Sequence, residues 1–331
     1  MLKRIVILKK ILAFLVLFSS CVLYAEELDV SSEKNDAEST ALSWDAIDAP
    51  ELVFYVEKIL PSNLATKKAM GTKEEPFPSI DDALCHISLL KKTKKKLKVL
   101  LNVRGGFSSN HSYIISCPIK IVGLSLDEEK KEVSRIRFGK NAGFFLMSSS
   151  FLMIENIHID RRELIGEPRT VPIFYALNSH LSLKNVSIDA REGGLVFMLY
   201  DSQFFMQNMS ISSVQNSYSS ILQSVNSKGA ILASNIKCSS RSIIAMDIDR
   251  SNIILENIYF DATSSYFNFF ARVFDSHFLI KNSNVLAKGN GKKEAAIMCN
   301  DKTEFLSKNL KIEGFASEKI IKNTKTGYME R

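Results

Sequence analysis

An asparagine returns along the chain at positions 156, 185, 208, 235, 257, 282 and 309, at gaps of 29, 23, 27, 22, 25 and 27 residues. Each stands at the same point of one local pattern. Four residues before it come Leu152, Leu181, Phe204, Ile231, Ile253, Phe278 and Phe305; two before it come Ile154, Leu183, Met206, Ala233, Leu255, Ile280 and Ser307. One after it come Ile157, Val186, Met209, Ile236, Ile258, Ser283 and Leu310; three after it come Ile159, Ile188, Ile211, Cys238, Phe260, Val285 and Ile312. Alternation with a period of two marks a strand on each side. The apolar phase slips by one across the Asn, which a straight strand cannot do without turning one apolar set outward. Asn enters the left-handed backbone region more readily than most non-Gly residues, so it supplies the bend.

Six residues ahead of the Asn stands a second mark: Ser150, Ser179, Ser202, Ser251, Ser276 and Thr303, with Gly229 the exception. A third apolar strand precedes that mark, as in Phe144 to Met147, Ile173 to Leu177, Val196 to Tyr200 and Phe269 to Phe274. Three short strands per repeat, with one bend residue in register, predict an all-β fold: a right-handed parallel β-helix of about eight coils. An earlier coil fits Ile119, Ile121, Leu124 and Leu126, with Gly123 at the Asn place. Coils stacked at about 4.8 Å give a core of roughly 35 to 40 Å and set like side chains in ladders. The expectation is a buried Asn ladder beside apolar ladders that fill the interior. A leucine-rich repeat needs a denser Leu pattern, and a propeller needs four antiparallel strands per unit.

Ahead of the repeat, Ser79 followed by Asp82 makes a capping-box-like helix start, and Ile80, Ala83, Leu84, Ile87 and Leu90 share one face. Solenoids need their open apolar ends covered, so this helix is expected to be the N-terminal cap. The stretch Gly71-Thr-Lys-Glu-Glu-Pro-Phe-Pro-Ser-Ile-Asp-Asp-Ala-Leu84, then Lys98 to Gly106 and Pro118 to Gly123, resembles the lead-in of pectin lyase-like right-handed β-helix proteins. In that family a G-T-x-x-x-P-F-x-S-I-x-x-A-L helix leads into an extended strand and the first coil. The resemblance covers about residues 52 to 326; it implies the fold and is nearly silent about activity. At the far end Phe315, Ile320 and Ile321 are expected to close the last partial coil.

Residues 1–25 read as an export signal. Lys3, Arg4, Lys9 and Lys10 form a basic start, Ile11 to Phe18 an apolar run, and Ser19, Ser20, Cys21 and Ala25 a small-residue exit. The run is short for a bilayer span. Three outcomes stay open: cleavage after Ala25, a lipid on Cys21 (Phe18-Ser19-Ser20-Cys21 resembles a relaxed bacterial lipobox), or an uncleaved anchor. The expected location is the periplasm, the outer-membrane surface or the medium, with membrane contact only through a lipid anchor. Residues 26–50, acidic and Ser-rich apart from Trp44, read as a tether, and 51–331 as the β-helix domain. Loss of four basic residues with 1–25 lowers the formal net charge from +7 to +3, which does not point to nucleic acid. The run Lys91, Lys92, Lys94, Lys95, Lys96 and Lys98 ends the cap helix as a solvated face that complements its dipole. Cys85, Cys117, Cys238 and Cys299 permit disulfides after export, but they form no dense framework and no metal spacing, so small buried hydrophobes is the better reading.

Neither a cofactor nor a metal is expected. In the family, lyases carry clustered acids that bind calcium with a basic residue on a neighbouring coil. The hydrolases carry Asn-Thr-Asp, Asp-Asp, Gly-His-Gly and Arg-Ile-Lys strings. The repeat region has none of those strings, and Asp81-Asp82 lies in the cap helix. His158, His180 and His277 stand without an evident partner and read as surface or ladder residues. Asp160 and Asp189, each four after its Asn, would stack as carboxylates, with Arg161, Arg162 and Arg191 at hand to neutralise them. Asp247 and Arg272, each ten before its Asn, would form a coil-to-coil ion pair beside Asp249.

The outward side of the first strand of each coil is the most informative surface. It is expected to carry Phe144, Leu146, Tyr175, Leu177, Met198, Tyr200, Phe270, Arg272 and Phe274, which is unusually apolar for a solvated face. Tyr175, Tyr200, Asp247, Asp249, Arg272 and Phe274 are the candidate ligand-binding residues, for a polysaccharide or an envelope protein. The function expected is non-catalytic binding after export; the alternative is a divergent polysaccharide lyase or glycoside hydrolase.

Overall fold

A strand that must change its inward side needs one residue at positive φ, and the repeat supplies it. Asn156, Asn185, Asn208, Asn257, Asn282 and Asn309 have φ between 48° and 57°. In the computed structural model the chain winds around these corners as a parallel β-helix of about seven turns, with one α-helix, among the described residues, near its start. The structure describes residues 44–47, 49, 51–58, 70–94, 96–125, 133–139, 141–161, 171–191, 195–214, 218–288, 292–293, 295–315, 321–323 and 327–328. The export signal with Cys21, and residues 26–43 of the expected tether, lie outside them, as do Arg162 and the side chains of Arg191, Ile320 and Ile321.

Each full turn has three faces. The first holds strands such as Phe144–Met147, Phe174–Leu177 and Leu195–Tyr200. The second holds Phe151–Glu155, His180–Lys184 and Gln203–Gln207. The third holds Ile157–Arg161, Ser187–Arg191 and Ser210–Val214. On these faces each strand bonds in parallel to its counterpart one turn on, so residues at equal places stack as rungs. Later turns merge strands across corners, as in Asn235–Asp249, which runs from the third face into the first.

The Asn corner lies between the second and third faces, and its amides form a column. Nδ2 of Asn185 donates to Oδ1 of Asn156 at 3.0 Å, Asn208 to Asn185 at 3.0 Å, and Asn309 to Asn282 at 2.9 Å. Two expectations need correction. The column is exposed, because an αL residue at a convex corner swings its side chain out while the flanking apolar residues turn in. And Asn235 is no member of it: Ala233, with φ 49°, takes the corner between Asn208 and Asn257, while Asn235 pairs with Ser210 and Tyr259 on the third face.

Moving the corner to Ala233 also puts Ser227 six residues ahead of it, so the Ser column has no gap at this turn. It is this column that is buried. Ser179, Ser202, Ser227, Ser251 and Ser276 each donate Oγ–H to the carbonyl two residues back, at 2.6–2.8 Å. Each of the last four accepts the backbone N–H of the Ser one rung before, at 2.9–3.2 Å. The residue ahead of each Ser is a second αL corner, as at Asn178, Asp201, Asn226, Arg250 and Asp275. The hydroxyls thus satisfy backbone groups near a corner that interrupts the strands. At Gly123 the Asn place has no room for a side chain, since a Cβ there would meet the Asn156 carbonyl oxygen at 2.1 Å.

Inside, Phe144, Phe174 and Phe197 stack along the axis with ring centroids 5.2 and 5.3 Å apart. Helix α1 (Ile80–Thr93) covers one end. It buries Ile80, Ala83 and Ile87 against the rod, Ser79 caps it by accepting from the Asp82 N–H, and Asp81 accepts from Ser109 and Tyr113 at 3.3 Å each. Phe315 packs half-buried against the other end of the core. Cys117, Cys238 and Cys299 are buried and free, and Cys85 is exposed and free. Burial pushes the Cys238 thiol up to about 12.

Candidate functional site

Because strands alternate, the first face has two outward columns. One runs Ile114, Phe145, Tyr175, Met198, Gln223, Asp247, Arg272 and Met298. The other runs Met147, Leu177, Tyr200, Val225, Asp249 and Phe274. All six candidate ligand-binding residues therefore stand on one surface: Tyr175, Asp247 and Arg272 in the first column, and Tyr200, Asp249 and Phe274 in the second.

Three residues expected here are turned inward. Phe144 and Leu146 are fully buried, because the corner of that turn holds two αL residues, Ser148 and Ser149, and the extra residue shifts the alternation by one. Phe270 is buried against Phe260, with ring centroids 5.1 Å apart, where Phe270 and Ala271 both turn in. Phe145 and Met147 take the outward places instead. Gln223 and Val225 also belong to the surface. They fall four and two residues before Ser227, the Ser of the turn whose corner is Ala233 and not Asn235.

The apolar part of the surface is graded. Ile114 is 68% exposed and Met147 45%, whereas Phe145, Tyr175, Leu177, Met198, Tyr200 and Val225 are half-buried. Phe145 stacks on Tyr175 at 5.6 Å and Tyr175 tilts against Tyr200 at 6.1 Å. The stripe then meets a polar boundary, where the Arg272 guanidinium bonds the Asp247 carboxylate at 2.5 Å and Asp249 meets Arg250 at 3.1 Å. Burial first, then Tyr175 and Asp247, push the Tyr200 phenol above its ordinary value of 10.0.

The third face carries the other constellation. Asp160 and Asp189 do stack in register, but Arg161 does not neutralise them: it turns inward and donates to the carbonyls of Ala142, Val171 and Pro172. Among the described residues, Arg137, one rung before, meets Asp160 at 3.2 Å, while Arg162 and the side chain of Arg191 lie outside them. His158 shares its place with Ser187, whose hydroxyl lies 2.7 Å from Nδ1, and on the second face His277 meets Glu304 at 2.7 Å. Both histidines thus have partners that sequence spacing did not reveal. Among the described residues, no group of three or more His, Cys, Asp or Glu side chains is placed to hold a metal ion.

Compared with protein-family models, curated proteins and solved structures, the chain matches none.

Proposed function

We propose that this chain is an exported, non-catalytic β-helix protein of the pectin lyase-like kind that holds a cell-envelope partner on the outer side of its first face. The observation that carries this reading is the two-column stripe from Ile114 and Met147 to Tyr200 and Val225. A scaffold needs apolar side chains inward, and nothing in the fold asks for them outward over successive rungs. Ile, Met, Leu and Val outnumber hydrogen-bonding groups there, which favours a protein surface. The part suited to a sugar ring is the Tyr175 and Tyr200 pair beside Gln223, Asp247 and Arg272, so a glycan is the second ligand class to test.

The experiment is a pull-down from envelope extract joined to a glycan array, with chain lacking residues 1–25. Tyr175→Ala and Tyr200→Ala are each expected to weaken capture about tenfold. Capture that is indifferent to both substitutions removes the first face from the account. A second reading, a divergent polysaccharide lyase or hydrolase, draws on the stacked Asp160 and Asp189 carboxylates. Turnover of uronate polysaccharides, with or without calcium, that is lost in Asp189→Asn would establish that reading over the first.

A further inference from the structure

Trp44, the single Trp of the chain, precedes the first strand of the rod, Glu51–Glu57, yet it is only 7% exposed. Its indole N–H donates to the Glu51 carboxylate at 2.9 Å, and its ring lies 5.9 Å from that of Phe151. The Lys98 ammonium sits over the indole, 4.7 Å from the centroid and 3.9 Å from Glu51. Phe151 points outward from the second face and is still only 3% exposed, and His180, one rung on, stacks on it at 6.2 Å. The described residues between 44 and 49 form a single 3-10 turn and pair with no strand, so side chains rather than a backbone ladder hold this segment.

We infer that Trp44 is a clasp that opens without unfolding of the rod. Segments held by a few side chains open at far lower free energy than ladder-bonded strands. The rung of Glu51 lies three steps from that of Phe151, by way of Lys98 and Pro118, or about 14 Å at the usual strand spacing. Closed, the clasp covers Phe151 and the Lys98 ammonium; open, it uncovers both while the rod keeps its ladder.

Fluorescence of this single Trp in the full chain tests the clasp. Acrylamide is expected to quench native Trp44 about tenfold less than N-acetyltryptophanamide. Phe151→Ala, which alters only the outer side of the second face, is expected to raise that quenching about threefold or more while the melting midpoint followed by circular dichroism stays in place. Glu51→Gln is expected to act in the same direction but less. Free quenching in the native wild-type chain overturns the inference. So does a Phe151→Ala variant that quenches like wild type, or one in which quenching and melting change together, since Trp44 would then be part of the cooperative core.

Discussion

The first and third faces share the same turns, the same ladder and the same inward demands, and they differ only in what points outward. Around Asn185 and Asn208 the third face shows Ser187, Asp189, Ser210 and Ser212, small polar residues that water can cover. On the same turns the first face shows Tyr175, Leu177, Met198 and Tyr200. Packing cannot account for the difference, because both sets lie outside the core. What a solenoid needs can be read from its inward columns; what it is used for has to be sought where outward columns depart from what the scaffold requires.

The sharpest test of that division uses neighbours in one strand. Phe174 points inward between Phe144 and Phe197, whereas Tyr175 points outward. Phe174→Ala is expected to cost about 3–5 kcal/mol in denaturant unfolding, from lost burial and the cavity left behind. Tyr175→Ala is expected to cost about 1 kcal/mol or less, as for most substitutions away from a core. Similar losses at the two positions would break the division between structural and functional columns. On the binding side, Tyr200→Ala should weaken partner capture about tenfold while Ser212→Ala on the third face leaves it unchanged.

The architecture was legible because inward residues repeat with a fixed period and the corner residue is nearly always Asn. The errors came where one corner departed from the rule. Ala233 replaces Asn at one turn, and Asn235, two residues on, offered a false mark that displaced Gln223 and Val225 from the surface. The doubled corner at Ser148 and Ser149 turned Phe144 and Phe145 the wrong way. The second αL column was not recognised at all, because Asn, Asp, Ser and Arg share that place and no single residue type marks it. Partners one rung apart, such as His158 with Ser187 or Asp160 with Arg137, depend on register, and gaps in sequence do not give register until the corners are placed.

Ala233 also yields a stabilising prediction that sharpens the comparison from the structural side. A non-Gly residue in the left-handed region carries a strain of about 1–2 kcal/mol, which Asn relieves in part. Ala233→Asn would fill the one gap between Asn208 and Asn257, and it should raise unfolding free energy by about 1 kcal/mol. Partner capture should not change, since this corner separates the second and third faces and lies away from the first. A loss of stability would mean that this corner does not accommodate the amide, and a gain of only a few tenths of a kcal/mol that the column contributes little beyond the backbone preference of Asn.

The smallest effect expected lies at the polar boundary of the first face. Asp247 and Arg272 are about one-third exposed, so breaking their pair by Asp247→Asn should cost under about 1 kcal/mol near neutral pH. Its clearer consequence is on Tyr200. Burial is the main reason that this phenol titrates above 10.0, and the nearby Asp247 charge adds to the rise by opposing a phenolate. A raised folded value means that the neutral phenol favours the folded chain fully below pH 10, and that this contribution is lost as pH climbs through the folded value. Asp247→Asn removes one cause and leaves burial in place, so Tyr200 should ionise earlier than in wild type but still later than a free phenol, and the alkaline loss of stability, which starts near pH 10 in both chains, should be smaller and end at lower pH. Ultraviolet titration of Asp247→Asn against wild type, with Tyr200→Phe to identify the signal, measures the shift. An unchanged titration would mean that the Asp247 charge is already spent on Arg272, and that the acidic end of the stripe presents no field to a ligand.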